Sequence, residues 1–156
     1  MTVRIKRVYV DASVVYGALT QRFVRETKPF WNAVFDGKIR VILSDVLEQE
    51  INRSPANVRE FYHELSKSLV ERVVSTEESN RLAAQYVVEK VVGKSSLDDC
   101  RHIALATLNN ADVLVSWNFK HIVNVDRILG YNSVNMKLGY PQIEILTPNM
   151  VVYDEN

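Results

Sequence analysis

An alternation constrains this chain more than any other feature. Five short stretches, most of them rich in Val and Ile, are "RVYVD" (7–11), "RVILS" (40–44), "ERVVS" (71–75), "DVLVSW" (112–117) and "IEILT" (143–147). Segments long enough to cross a sheet as helices lie between them. Short apolar strands of this kind are buried on both faces, and strands that alternate with helices join in parallel. The expectation is a single α/β domain over residues 1–156, a three-layer α/β/α sandwich around a mainly parallel five-stranded sheet.

The intervening segments carry helix signals. In "SDVLEQEINR", Ser44 or Asp45 can cap the helix and Glu48 can close a capping box. "SPANVREFYHELSKSLVE" opens on Ser-Pro, a cap followed by a first-turn proline. "STEESNRLAAQYVVEKVVGK" opens on a Ser/Thr-to-Glu capping pattern, and Gly93 is the expected C-cap.

Composition narrows the class. An apolar fraction of 47% with 24% charged residues belongs to a folded globular chain. The 19 basic and 19 acidic side chains balance, so nucleic-acid binding would need a local patch rather than a global field. Cys100 is the single cysteine, and the N-terminal residues show no apolar leader, which together point to the cytoplasm. Charges break every apolar run well short of the roughly 20 residues that span a bilayer.

In a parallel sheet the ligand crevice lies beyond the carboxyl ends of the strands. Asp11 follows the first strand there, either as an acid facing the crevice or as the N-cap of the next helix. Glu50 lies four residues after Val46 and three after Leu47, on the face those residues turn inward. An inward carboxylate needs an Arg partner or a cation, because a buried lone charge costs several kcal/mol. Asp98 and Asp99 stand at the start of the helix in "SSLDDCRHIALAT". Ser95 with Asp98, and Ser96 with Asp99, both fit a capping box, yet capping hardly requires both acids. After the fourth strand, "SWNFKHI" offers Ser116 and Asn118 as oxygen ligands or hydrogen-bonding groups, and Lys120 and His121 as local positive charge. As a set, Asp11, Glu50, Asp99 and Asn118 fall on one side of the sheet. Oxygen ligands of this kind suit Mg²⁺ or Mn²⁺ rather than zinc.

This order and spacing resemble the PIN domain, the nuclease fold of VapC-like bacterial toxins and of many RNA-processing proteins. The motifs that carry the resemblance are "VDAS" with Asp11 and Ser13, "SDVLEQEI" with Glu50, "DCRHIALA" with Asp99, and "SWN" with Ser116 and Asn118. Many members have Asp where this chain has Asn118. The resemblance implies a divalent-metal-dependent ribonuclease in which Asp11, Glu50 and Asp99 hold Mg²⁺ or Mn²⁺, with Asp98 as an auxiliary ligand or cap. Asn118, Ser13 and Ser116 would complete the site, with Lys120, Arg53 and Lys94 on backbone phosphates and Trp117 stacked on an unpaired base. Implied partners are RNA, a small antitoxin protein and a second copy of the chain. Two other readings stay open: a degenerate PIN scaffold that binds protein or RNA without catalysis, and a nucleotide-binding α/β protein. Only five glycines and no Gly-rich phosphate loop speak against the second.

Overall fold

The computed structural model describes residues 4–68 and 70–153. Five strands, β1 (Lys6–Val10), β2 (Ile39–Ser44), β3 (Val70–Val73), β4 (Val113–Val115) and β5 (Ile145–Leu146), form one sheet in the order β3-β2-β1-β4-β5. Every neighbouring pair is parallel, with Val8 beside Val41 on one side and Val113 on the other. The sheet is therefore wholly parallel, and all five sequence-read strands are present, the first three starting one residue earlier than read and β4 and β5 shortened at both ends.

Among the described residues eight helices cover the sheet: α1 (Ala12–Gly17), α2 (Val24–Phe35), α3 (Asp45–Asn52), α4 (Ala56–Leu65), α5 (Glu77–Val88), α6 (Leu97–Leu108), α7 (Val125–Lys137) and α8 (Pro148–Tyr153). Strand side chains alternate between the faces, so each strand feeds two cores. Val8, Val10, Val41, Leu43, Val113 and Val115 pack with α1, α2 and α4, while Tyr9, Ile42 and Leu114 pack with α5, α6 and α7. Three layers result. No helix among the described residues is long and apolar enough to cross a membrane.

Five of the expected caps differ from the structure. Helix α4 starts from Pro55 with no side-chain cap, Ser54 Oγ donating instead to the Glu50 carbonyl, and at α5 Thr76 closes its capping box with Ser79 rather than with a Glu. Ser44 does cap α3 by accepting from the Leu47 amide at 3.1 Å, but the residue in position to close a box is Leu47, so Glu48 turns outward to solvent. The α5 segment ends early. Its left-handed residue is Lys90 (φ 62°), where the Lys90 and Val91 amides close onto Val87 and Tyr86, and Gly93 is extended. Neither Ser95–Asp98 nor Ser96–Asp99 forms a capping box. A single 3-10 turn at Lys94–Ser96 runs directly into α6, and no side chain caps its first turn.

Candidate active site at the carboxyl ends of the strands

The chain runs outward from β1 in opposite directions along the sheet, to β2 on one side and to β4 on the other. A crevice opens where such a reversal occurs. Asp11 leaves β1 at that point and caps α1, its Oδ1 accepting from the Val14 amide at 3.3 Å. Both readings of Asp11 are therefore realised in one side chain. Its carboxylate is 4% exposed and is gripped by two hydroxyls, Ser13 Oγ donating to Oδ1 and Ser116 Oγ to Oδ2, each at 2.6 Å. These hydroxyls also order the strand-four loop. Ser13 Oγ accepts from the Trp117 amide at 2.8 Å, and Ser116 Oγ from the Asn118 amide at 2.9 Å.

Asp11, Glu50, Asp99 and Asn118 line one cavity of about 200 Å³, together with Ala12, Ser13, Tyr16 and His102. Five parts of the fold supply its polar groups: the end of β1, α1, α3, α6 and the loop after β4. The partner of Glu50 is a histidine and not an arginine: His102 Nε2 lies 2.6 Å from Glu50 Oε1. His102 was not singled out in the sequence. Its signal is the spacing, three residues after Asp99, which puts both on one face of α6.

The electrostatics follow from the missing cations. Among the described residues, no Lys or Arg forms an ion pair with Asp11, Glu50 or Asp99. Burial pushes the Asp11 carboxyl above its ordinary range, with His102 and the two serines pulling the other way. Asp99 is raised as well, chiefly by burial and further by the charges of Asp11 and Glu50. For His102, burial penalises the charged ring, but the Glu50 hydrogen bond and the three acids outweigh it and raise its pKa.

A divalent cation fits this donor set by chemistry: carboxylate oxygens converge, repel one another and lack a fixed counter-charge. As the side chains stand, no three of the described His, Cys, Asp or Glu residues are grouped closely enough to grip an ion. Glu50 is hydrogen-bonded to His102, and Asn118 turns its amide toward Asp99. The Asn118 Oδ1 caps its own loop, accepting from the Lys120 and His121 amides at 3.2 and 2.9 Å, so its Nδ2 is what faces Asp99, at 3.4 Å. Asn118 thus presents a donor, not the carbonyl ligand expected from the sequence.

Asp98 lies outside the cavity. It is exposed and pairs with Arg101 at 2.9 Å, one turn along the helix. Trp117 is not a free stacking platform, because it is buried, donates from Nε1 to Thr27 Oγ1 at 3.0 Å and stacks on Phe23 at 4.5 Å. Lys94, Arg53 and Lys120 are all exposed, at the turn before α6, the end of α3 and the loop after β4.

The sequence matches no family profile and no curated protein. Solved structures do match. VapC20 of Mycobacterium tuberculosis, a toxin that cleaves the sarcin-ricin loop, aligns at 14% identity over 88% of this chain and 98% of its own, with a TM-score of 0.56. VapBC2 of Rickettsia felis, solved bound to a DNA fragment from the promoter, aligns at 11% identity over 90% of this chain and 98% of that one, with a TM-score of 0.55. The fold is thus a parallel α/β domain with its acids at the switch point. It is the fold of the VapC-type PIN domains.

Proposed function

We propose that this chain is a divalent-metal-dependent ribonuclease, a VapC-like toxin acting in the cytoplasm on RNA and held in check by a small antitoxin. One observation carries the reading: carboxylates from three separate elements meet in one cavity at the carboxyl end of the sheet, with a histidine as their basic partner and, among the described residues, no Lys or Arg paired to them. A fold has no structural use for such repulsion, whereas phosphodiester hydrolysis does, once a cation is present.

Asp11, Glu50 and Asp99 would hold Mg²⁺ or Mn²⁺, whose chemistry here is to acidify a water and offset charge on the phosphate. The chain's own groups supply the rest. Ser13 and Ser116 lock the Asp11 carboxylate between two hydroxyls, so its direction is fixed before substrate arrives. The Asn118 amide is a neutral donor aimed at the acids and suits a phosphate oxygen. Lys120, Arg53 and Lys94 stand free to meet flanking phosphates, as point charges whose binding weakens with salt. A second hollow of about 300 Å³ shares Ser13 and Tyr16 with the acid cavity and adds Gly17, Thr20, Arg22, Phe23 and Trp117, giving the adjoining nucleoside an apolar place. Trp117 enters this reading as the wall of that hollow. A second copy of the chain is a further partner of the reading.

The test is cleavage of a mixed single-stranded RNA in Mn²⁺, with Asp11→Asn as the blank. Metal-dependent products above the blank support the reading. Products equal to the blank favour the catalytically silent scaffold, for which the neutral Asn118 is the one structural argument.

A further inference from the structure

We propose that His102 is a positioning residue, a brace that holds the Glu50 carboxylate in the acid cavity by tying it to the start of the helix that carries it. The inference rests on the reading of that cavity as a cation site.

The brace is a closed circuit of four hydrogen bonds. The Leu47 amide donates to Ser44 Oγ at 3.1 Å, Ser44 Oγ meets Tyr9 OH at 2.7 Å, Tyr9 OH meets His102 Nδ1 at 2.7 Å, and His102 Nε2 meets Glu50 Oε1 at 2.6 Å. Ser44 caps α3 and Glu50 lies in its last turn, Tyr9 belongs to β1 and His102 to α6. The circuit therefore fixes Glu50 relative to the elements that carry Asp11 and Asp99. Tyr9, Ser44 and His102 are all buried, so the bonds among them do not compete with bulk water, and only the Glu50 end is open to it.

The pattern of donors closes in one direction. With the neutral ring protonated at Nε2, Ser44 accepts from Leu47 and donates to Tyr9, Tyr9 donates to Nδ1, and Nε2–H donates to Glu50. Every hydroxyl is satisfied, as buried polar groups must be. A charged ring keeps the Nε2–H that meets Glu50 and reverses the Tyr9 bond, with Nδ1–H donating to the phenol oxygen. Glu50 has three rotatable side-chain bonds and is half-buried, and without an anchor its carboxylate gains freedom by swinging to solvent. An Arg or Lys in place of His102 would hold Glu50 equally well, but would install a permanent cation where a metal must bind. Imidazole supplies the donor without a permanent charge.

The experiment uses the full chain, with Mn²⁺ affinity read by calorimetry and stability by metal-free melting. His102→Leu should weaken Mn²⁺ binding about 10–100-fold. His102→Gln, which can keep a donor near the Nε2 position, should recover most of that loss. Tyr9→Phe, which removes only a hydroxyl, should fall between wild type and His102→Leu, and it decides the matter if His102→Leu does not fold. A merely structural histidine would lower the melting point in these variants and leave Mn²⁺ affinity at the wild-type value, which would overturn the proposal. Tighter Mn²⁺ binding in His102→Leu would also overturn it, by showing that His102 holds Glu50 away from the ion. Wild-type protein that binds no Mn²⁺ would defeat the cation-site reading itself and the brace with it.

Discussion

The two ends of the sheet treat acidic residues in opposite ways. At the amino end, Arg7 grips Glu71 with two bonds, Nε to Oε2 at 2.9 Å and Nη2 to Oε1 at 2.6 Å. Asp112 accepts from Arg4 and from the Arg7 amide. The hydrogen bond from Arg7 holds Glu71 below its ordinary pKa, while burial holds Asp11 and Asp99 above theirs at the other end. One strand carries both solutions, with Arg7 near the start of β1 and Asp11 just past its end. Where charge serves only the fold, the chain supplies a guanidinium. Where it does not, the surplus negative charge is what the proposed cation site rests on.

The largest expected effect separates the ends by function. Asp99→Asn or Asp11→Asn should lower RNA cleavage by more than about 100-fold, the loss of some 2.7 kcal/mol of transition-state stabilisation. Metal-free stability should hold or rise, because each substitution removes a repelled charge. Arg7→Ala should do the reverse, costing about 1.5–3 kcal/mol through the lost charged hydrogen bonds and leaving cleavage near wild type. Cleavage assays and urea melts on the same preparations check both. If Arg7→Ala silenced cleavage while Asp99→Asn did not, the contrast between the ends would fail.

Metal should act at one end only. Mn²⁺ at about 100 times its dissociation constant should stabilise the wild type by roughly 2.7 kcal/mol, with little gain in Asp99→Asn. Asn118→Asp sharpens this. It places a further charge 3.4 Å from Asp99, so it should lower metal-free stability and strengthen Mn²⁺ binding, both readable by thermal melting.

The pH dependence has opposite signs at the two ends. Asp11, Asp99 and His102 hold their protons more tightly in the folded chain than in the unfolded one. Their contribution is fully present below the unfolded values, near 3.9 for Asp and about 6.5 for His, and is lost as pH rises through the raised folded values. Glu71 contributes above its unfolded value of about 4.3, and its share is lost as pH falls through its lowered folded value. Metal-free protein should therefore be more stable near pH 5.5 than near pH 7.5, and this difference should shrink in Asp11→Asn. The smallest effect is assigned to Asp98→Ala. Its exposed pair with Arg101 is worth about 0–1 kcal/mol, and cleavage should be unchanged.

Much of this architecture was legible from strand composition. Runs such as "RVYV" and "RVILS" are apolar on both faces, which only a covered parallel sheet accommodates. Helix α2 was not among the segments read, and Pro29 in its middle is the kind of residue that breaks such a pattern. The three acids stood out because each follows a strand or lies on the inward face of a helix. The partner of Glu50 did not, because pairing across 52 residues depends on how α3 and α6 pack and leaves no local pattern. Trp117 and Asn118 misled for a related reason. Their loop-like setting suggested free side chains, whereas Thr27 and Phe23 enclose the indole and the Lys120 and His121 amides claim the Asn118 carbonyl.

The most direct test of the central claim measures cleavage of mixed single-stranded RNA by wild type and Asp99→Asn, each with Mn²⁺ and with a chelator. Products should appear only for wild type with Mn²⁺. Equal cleavage by Asp99→Asn, or cleavage that survives the chelator, would contradict the assignment of these acids to a metal-dependent nuclease site.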